Sequence, residues 1–318
     1  MDAVLTERLI EMANAGRVGH ALLFWGDEGA GALPLALMLA QQMACKTKVN
    51  GLACGKCPTC NKMLKVIHPD LHFAVPVNSV KPSDRNPVTD HYLEIWRKAL
   101  LNNPYMSEFQ WYEELGIDNK SGNISVHEAD TILKKLRFKA YEGECKFMVI
   151  WLPERMNVQA ANTLLKILEE PSGGTHFFLV SEHPEQLLPT IRSRCQMIRV
   201  NSSDNIRHVS LQSEQQQEIA QYALDLITYC TEKKLLPAIQ WCEEVAGFGR
   251  ERQKQLVLCM LESIRNRYTK HLYSGSSLSS SFFPEATIAL DAALADIDRN
   301  VQAKMTFYTV ALRLFFAC

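Results

Sequence analysis

The sequence is organised around eight residues, Gly26-Asp27-Glu28-Gly29-Ala30-Gly31-Ala32-Leu33. The apolar run 21–25 precedes them and predicts a buried strand, and a helix is expected from about residue 35 to residue 44. Gly26 and Gly31 have the spacing of the phosphate-binding loop G-x-x-x-x-G-K-[ST], in which backbone N–H groups surround phosphate oxygens. The stretch therefore predicts the strand–loop–helix unit of a nucleotide-binding α/β fold. A glycine-rich turn that never bound a nucleotide is the alternative.

This loop lacks the two side chains that make such a loop a working site. A functional loop continues with Lys, which reaches the β- and γ-phosphates, and with Ser or Thr, which holds Mg²⁺. Here these positions are Ala32 and Leu33, and Pro34 follows without an N–H group that could contact an anion. We therefore expect the shape of a phosphate loop without its chemistry, and no bound ATP. The degenerate loop is defined by Gly26, Gly29, Gly31, Ala32 and Leu33.

A second loss lies at the end of the strand predicted over residues 146–152. In nucleotide hydrolases the corresponding strand ends in Asp-Glu, which holds Mg²⁺ and positions the attacking water. By register these positions are Trp151 and Leu152, and Glu154 lies two residues beyond. Because both halves of the catalytic machinery are missing together, the sequence predicts an abandoned nucleotide site. An active ATPase with unusual metal ligands, such as Glu154 or Asp27, is the alternative.

The composition is that of a globular protein with more than one domain. A chain of 318 residues, 47% hydrophobic and 22% charged, has room for two or three domains with sizeable cores. Its net charge of -1 gives no overall basic field for nucleic acid. The apolar runs fall short of the ~18 residues that span a bilayer, and residues 1–7 do not read as a signal peptide. We therefore expect a cytoplasmic protein that does not contact a membrane.

Four of the ten cysteines are closely spaced, namely Cys45, Cys54, Cys57 and Cys60. In a reducing compartment such a cluster favours metal ligation over disulfides. Four thiolates predict a tetrahedral structural zinc site with no coordination position left for catalysis. A redox site, an iron–sulfur site or a set of reduced surface thiols is the alternative. The other cysteines are scattered along the sequence and are expected mostly in cores.

After the cysteine cluster, residues 68–75 are interpreted as a turn that leads into a second short strand. Residues 78–122 then read as an insertion. The insertion carries a predicted helix and a small aromatic cluster, which we expect to pack on the domain as a satellite. A helix is predicted over 125–141, with Ser125 and Glu128 forming a capping box. Its basic face could meet DNA phosphates or could simply be solvated.

A longer pattern makes the family recognisable. The stretch Asn162-Thr163-Leu164-Leu165-Lys166-Ile167-Leu168-Glu169-Glu170-Pro171 resembles the N-A-L-L-K-x-L-E-E-P signature of bacterial clamp-loader subunits. Residues 177–181 resemble their sensor strand, Ser193-Arg194-Cys195 resembles their S-R-C motif, and the zinc module 45–60 occurs in the same family. The resemblance covers about residues 1–200. It implies an α/β fold class: a three-layer domain of the AAA+ type with a parallel sheet and an embedded zinc module.

Within this family, a degenerate loop beside an intact S-R-C motif is typical of the delta prime subunit of DNA polymerase III, because the gamma/tau motor subunits keep Lys-Thr and Asp-Glu. The resemblance thus implies a subunit without ATPase activity of its own. It implies a hetero-pentamer with gamma/tau-type and delta subunits that loads the sliding clamp on primed DNA. Arg194 would then be an arginine finger, supplied in trans to a neighbour's γ-phosphate. A surface ion pair is the alternative for Arg194, and a zinc-dependent nucleic-acid-binding module is the alternative for the whole chain.

The last third of the chain reads as helical. Residues 201–212 are interpreted as a linker or a shortened lid, and 213–318 as an all-helical domain. Its four predicted helices cover about 213–232, 235–246, 250–273 and 285–316. In the family that the chain resembles, this bundle is the collar that joins five subunits into a ring. A monomeric bundle with its own core is the alternative.

Overall fold

The computed structural model describes residues 3–79, 86–117, 121–201, 214–274 and 282–317. The chain divides into two compact units, one formed by Met1–Ile117 with Ser121–Ser210 and one by Asp118–Lys120 with Leu211–Cys318. The predicted linker or shortened lid, 201–212, lies outside the described residues except for Asn201. None of the described helices is both long enough and apolar enough to cross a bilayer.

The first unit contains a five-stranded parallel sheet with the strand order β2-β3-β4-β1-β5. Leu23 lies opposite Leu179 of β4 and Met197 of β5, which places the phosphate-loop strand next to the centre. The central strands are almost continuously apolar because both faces of the sheet are covered. The strands are β1 Ala21–Trp25, β2 Leu71–Ala74, β3 Lys146–Trp151, β4 Thr175–Ser181 and β5 Gln196–Arg199.

Helices cover the two faces of this sheet. Alternate strand residues point to opposite sides, so that Phe24 and Val149 join the core beneath α2, and Leu23 and Ile150 join the core beneath α6 and α7. The predicted three-layer α/β fold is therefore confirmed. The helices of this unit are α1 Ala3–Asn14, α2 Ala32–Ala44, α3 Pro58–Leu64, α4 Leu93–Asn102, α5 Glu108–Leu115, α6 Val126–Leu136, α7 Val158–Glu169 and α8 Pro189–Arg192.

The aromatic cluster of the insertion belongs to the main core, and the expectation of a satellite cluster was wrong. Trp96 of α4 and Trp111 of α5 are both fully buried, with ring centroids 5.1 Å apart. The Trp96 ring also lies 5.2 Å from Trp151 at the end of β3. The insertion thus packs against the strand end where a nucleotide hydrolase carries its acidic residues.

The helix predicted over 125–141 is shorter, and its capping box is only half formed. Ser125 Oγ accepts the backbone N–H of Glu128 at 3.4 Å. The Glu128 carboxylate turns away from the cap and accepts the backbone N–H of Thr89 at 2.6 Å instead. The helix ends at Leu136, whose carbonyl oxygen accepts a bond from Lys146 Nζ at 2.7 Å. Tertiary partners therefore override both local signals.

The second unit is helical, as predicted, but its last predicted helix is two helices. Asn300 adopts a left-handed conformation with φ 57°, and the N–H of Val301 donates back to the Asp296 carbonyl at 2.9 Å, which ends α12. Trp241 and Phe307 pack edge to face at 5.8 Å in the core of this unit. Its helices are α9 Glu214–Thr231, α10 Leu235–Ala246, α11 Arg250–Ser274, α12 Phe282–Asp298 and α13 Ala303–Ala317.

Candidate functional site

The phosphate-type loop lies where the sequence predicts it, between β1 and α2. Gly26 has no room for a side chain, because a Cβ there would lie 2.3 Å from the Val200 carbonyl oxygen. Gly31 immediately precedes α2 and adopts φ 91°, a left-handed conformation that favours glycine. The backbone conformation of the loop therefore requires glycine at these two positions, whether or not a phosphate binds.

The two positions after the loop have no side chain that could bind a phosphate or a metal. Ala32 begins α2, and Leu33 is 4% exposed and belongs to the apolar core. A hydroxyl that holds Mg²⁺ would have to point into the site, whereas Leu33 points into the core. Leu33, which stands at the position of the Ser or Thr, therefore helps to pack α2 against the core.

A turn of the insertion covers the loop. Pro104, Tyr105 and Met106 line the same small cavity as the glycines, and a Tyr105 ring carbon lies 3.0 Å from where a Gly31 Cβ would be. Asn103 fixes this turn: its Oδ1 accepts the Tyr105 N–H at 3.0 Å, and its Nδ2 donates to the Gln110 side chain at 3.1 Å. The remaining space is about 30 Å³. This volume suits one or two water molecules, whereas pockets for small ligands measure ~300–1,000 Å³.

Two acidic residues, Asp27 and Glu182, line the same cavity. Burial, followed by repulsion from Glu28, Glu154 and Glu108, raises the pKa of Glu182 well above its usual value. The only nearby cation among these groups, Arg155, is engaged by Glu108 through two bonds, Nε to Oε1 at 2.6 Å and Nη2 to Oε2 at 2.7 Å. The residues that line the cavity include no Lys or Arg, whereas a polyphosphate requires positive charge at this place.

The end of β3 has no carboxylate at the two positions of the Asp-Glu pair. Trp151 and Leu152 are 2% and 1% exposed, respectively, and both belong to the core. Glu154, an alternative metal ligand considered from the sequence, accepts the backbone N–H groups of Glu182 at 2.9 Å and of His183 at 3.1 Å. One of its oxygens therefore caps the end of β4.

The four cysteines of the predicted zinc module come together. Their sulfur atoms all lie within 4.8 Å of one another. Cys45 Sγ is 3.8 Å from Cys54 Sγ, and Cys54 Sγ is 4.0 Å from Cys60 Sγ. A tetrahedron with Zn–S bonds of about 2.3 Å has edges of ~3.8 Å, whereas a disulfide requires about 2.05 Å. The cluster therefore has the dimensions of a four-thiolate metal site.

Backbone groups support this arrangement. The N–H of Cys57 donates to Cys54 Sγ, and the N–H of Cys60 donates to Cys57 Sγ, both at 3.3 Å. A hydrogen bond with Thr47 is the main cause that lowers the pKa of Cys54 to about 6. Burial raises the pKa of Cys60 to about 12. A bound cation would deprotonate both thiols, because a coordinating thiol is held as thiolate.

The loop that carries Cys54 is also fastened to the domain without a metal. The buried Gln42 of α2 donates from Nε2 to the Gly51 carbonyl at 2.7 Å and accepts the Ala53 N–H at 2.7 Å. Asn14 of α1 donates to the same Gly51 carbonyl at 2.8 Å. The module is therefore an extension of α1 and α2.

Arg194 lies on the turn between α8 and β5 and forms a surface ion pair. Its Nε donates to Glu169 Oε1 at 2.7 Å, its Nη2 contacts the same oxygen, and its Nη1 donates to the Thr190 carbonyl at 2.8 Å. The two side chains are 30% and 48% exposed. The ion pair considered from the sequence is thus present in the isolated chain, at the surface.

Sequence reasoning missed Tyr105 and Glu169. Tyr105 lies between the two helices of the insertion, and nothing in the sequence indicates that it reaches the loop. Glu169 belongs to the L-E-E-P signature, and its position at the end of α7 is predictable from the sequence. Its contact with Arg194 depends on how α7 and α8 pack, which the sequence does not specify.

Comparisons with known proteins agree with this architecture. Residues 1–204 match the model of the family described as "DNA polymerase III, delta subunit". DNA polymerase III subunit delta' of Pseudomonas aeruginosa is 30% identical, over a match that covers 58% of this chain and 44% of the relative's length. The same subunit of Escherichia coli is also 30% identical, over 60% of this chain and 45% of the relative's length. DNA polymerase III subunit tau of Salmonella typhimurium is 24% identical over 74% of this chain and 30% of its own.

In each of these comparisons, the chain spans less than half the length of the curated relative. The family model, however, matches well over half of this chain, and it includes the loop, the cysteine cluster and Arg194. Together with the resemblance of the residues 162–171, this shows that the chain belongs to the DNA polymerase III delta prime family.

Proposed function

We propose that the protein is a non-hydrolysing subunit of a bacterial replicative clamp loader. In this role it offers Arg194 in trans to the ATP of a neighbouring subunit and helps to load a sliding clamp on primed DNA. One contrast carries the proposal: Tyr105 packs over the phosphate loop and leaves little space beside it, while the guanidinium of Arg194 is partly exposed at the surface. A chain of this kind cannot use its own nucleotide site but still has a cation to offer.

Three independent features support the absence of ATP binding. Residues 32 and 33 are neither Lys nor Ser or Thr, the cavity measures only about 30 Å³, and its lining includes Asp27 and Glu182 but no Lys or Arg. Each feature alone weakens binding, and together they oppose the charge, the metal and the volume of a nucleoside triphosphate.

The ion pair with Glu169 is compatible with the role of Arg194 in trans. Exposed ion pairs contribute only ~0–1 kcal/mol, whereas bonds from Arg to phosphate are charge-assisted and frequently bidentate. A neighbour's γ-phosphate would therefore displace the carboxylate at modest cost. An arginine finger of this kind contributes on the order of 10³–10⁵ in rate.

The proposed partners are gamma/tau-type and delta subunits in a hetero-pentamer, with the sliding clamp and primed DNA bound by the assembly. In this proposal, residues 1–200 form the AAA+-type domain and residues 213–318 form the collar that joins the subunits into a ring. Residues 201–212 are the linker or shortened lid between them. The collar role is supported by apolar side chains that remain exposed on the helical unit, including Leu236 at 75% and Phe316 at 81%.

The ion that we propose for the cysteine cluster is structural Zn²⁺. The four sulfur ligands and their separations support it, since such sites are tetrahedral and closed. The site would hold the 46–60 loop on the domain and would take no part in ATP chemistry.

The experiment that tests the proposal replaces Arg194 in a reconstituted complex with ATP-hydrolysing subunits and a clamp. We expect Arg194→Ala to lower the DNA- and clamp-stimulated ATPase rate by at least about tenfold, and Arg194→Lys to recover little of it, because Lys lacks the planar fork. Lys65→Ala removes an exposed cation outside the S-R-C turn and serves as the control. An unchanged rate for Arg194→Ala would remove the proposed role.

Nucleotide binding by the isolated chain tests the second part of the proposal, that this subunit does not bind ATP itself. Titration with a fluorescent ATP analogue should give no Mg²⁺-dependent signal at micromolar concentrations. Micromolar, Mg²⁺-dependent binding would refute the closed-loop interpretation and favour an active ATPase.

A further inference from the structure

Glu169 is the residue that engages the guanidinium of Arg194. It is the last residue of α7, and its Oε1 accepts a bond from Arg194 Nε at 2.7 Å and a second from Nη2. The third guanidinium nitrogen, Nη1, donates to the carbonyl of Thr190 in α8 at 2.8 Å. All three nitrogens of the guanidinium are therefore turned toward the chain's own groups.

An arginine that acts on a neighbouring subunit's phosphate needs these same N–H groups. The planar fork matches one carboxylate or one phosphate at a time along its edge. The Nε–Nη2 edge of Arg194 is occupied by Glu169. In the isolated chain the carboxylate thus stands where the phosphate oxygens would bind.

We propose that Glu169 restrains Arg194 and competes with the neighbour's phosphate for it, an inference that rests on the proposed function. Both side chains are partly exposed, at 30% for Arg194 and 48% for Glu169, so that the pair opens readily. An exposed pair of this strength reduces the competent population of the finger on the order of two- to fivefold. Glu169 is therefore a positioning residue. It binds the Arg194 guanidinium until ring assembly brings a neighbouring subunit's phosphate, which Arg194 binds more strongly.

Steady-state kinetics of the reconstituted complex test this restraint. Glu169→Gln keeps the size of the side chain and removes its charge, and Glu170→Gln makes the same change at the exposed neighbouring glutamate as a matched control. We expect Glu169→Gln to raise kcat for ATP hydrolysis two- to fivefold with KM for ATP unchanged, because the finger acts on charge that develops in the transition state. Glu170→Gln should leave both parameters unchanged.

The double variant Glu169→Gln/Arg194→Ala shows whether the effect passes through Arg194. It should match Arg194→Ala alone. An increase that persists without Arg194 would overturn the restraint. If Glu169→Gln leaves kcat unchanged or lowers it while Arg194→Ala is impaired, the restraint is wrong and the proposed function stands. If Arg194→Ala has no effect, the proposed function itself fails.

A direct measurement uses the side-chain ¹⁵Nε signal of Arg194 in the isolated full chain, identified by its loss in Arg194→Lys. This N–H should be ordered in the unmodified protein and in Glu170→Gln, and mobile in Glu169→Gln. Equal mobility in all three proteins would overturn the restraint without any reference to ATPase activity.

Discussion

Removal of the zinc that we propose for the cysteine cluster should destabilise the first unit measurably without unfolding the chain at room temperature. The cluster joins the end of α2, which Cys45 immediately follows, to α3, which carries Cys60, and both of these cysteines are buried. Chelation removes the ion that the four sulfur atoms would share, and leaves these atoms within 4.8 Å of one another with no ion to bind. The bonds from Gln42 to Gly51 and Ala53 remain, since they do not involve sulfur. We therefore expect the metal-free domain to stay folded but with lower stability.

The magnitude follows from linkage. An ion that binds only the folded state contributes about 4 kcal/mol when its free concentration is 1,000 times Kd. For a unit of roughly 150–250 residues, each kcal/mol corresponds to about 2–4 °C in the unfolding midpoint. Chelation of zinc buffered at that level should therefore lower the midpoint of the first unit by roughly 8–16 °C.

Tryptophan fluorescence is a suitable readout, because Trp96, Trp111 and Trp151 lie together in the core of that unit. Metal analysis should give one zinc per chain in reducing buffer and none for the double variant Cys54→Ser/Cys57→Ser, whose midpoint should not respond to chelator. Cys259→Ser, a change in α11, is the control that should keep both the zinc and the response. A chain without bound zinc and with a midpoint indifferent to chelator would refute the reasoning.

Three other predictions concern groups around the same sheet. Asp70 is 2% exposed and accepts three backbone N–H groups, so Asp70→Asn should cost about 1.5–3 kcal/mol in urea unfolding at pH 7. Burial lowers the pKa of His72 to about 4, whereas in the unfolded chain it is about 6.5. Between pH 6.5 and pH 4 the unfolded chain therefore binds a proton at His72 that the folded chain does not bind, and the free energy of unfolding should fall as the pH drops through this range. His72→Gln should reduce the slope of this pH dependence. Restoring Ala32→Lys and Leu33→Thr should not give ATP binding in a fluorescence titration while Tyr105 covers the loop, and adding Tyr105→Gly should make binding measurable.

Each of these has an outcome that contradicts it. Unchanged urea stability of Asp70→Asn would mean that its three bonds contribute nothing net. Burial by itself would raise the pKa of Asp70, but its three backbone hydrogen bonds outweigh burial and lower the pKa. The stabilisation from Asp70 should therefore be lost only below its unfolded pKa of about 3.9, which is below the pH range in which His72 lowers stability. An unaltered pH slope in His72→Gln would assign the slope to other groups. Equal ATP binding with and without Tyr105 would show that the cover is no obstacle.

The parts of the fold that depend on short-range patterns could be predicted. The loop, its flanking strand and helix, and the cysteine spacing are encoded within a few residues of one another, so that Gly26 and Cys54 lie where the sequence indicates. The apolar strands were predictable because a parallel sheet buries both faces.

The insertion could not be predicted, because its role depends on distant contacts. Trp96 and Trp111 read as a local aromatic cluster, but their partner is Trp151, far along the sequence. Glu128 has the spacing of a capping box, yet its carboxylate binds the Thr89 N–H in the insertion. In both cases a tertiary contact that no local pattern encodes decides the outcome.

The proposed loss of ATP binding rests on the same contacts, and no single substitution is expected to reverse it. Leu33 and Trp151 occupy the positions of the metal-binding hydroxyl and carboxylate, and both are packed in the core that the insertion completes. A polar group at either position would be buried beside apolar side chains, which costs roughly 1–3 kcal/mol unless it finds a partner. Tyr105 and the carboxylates around Glu182 oppose a polyphosphate even after such a change. Because the missing chemistry, the apolar packing and the cover are separate obstacles, removing any single one should leave the loop unable to bind ATP.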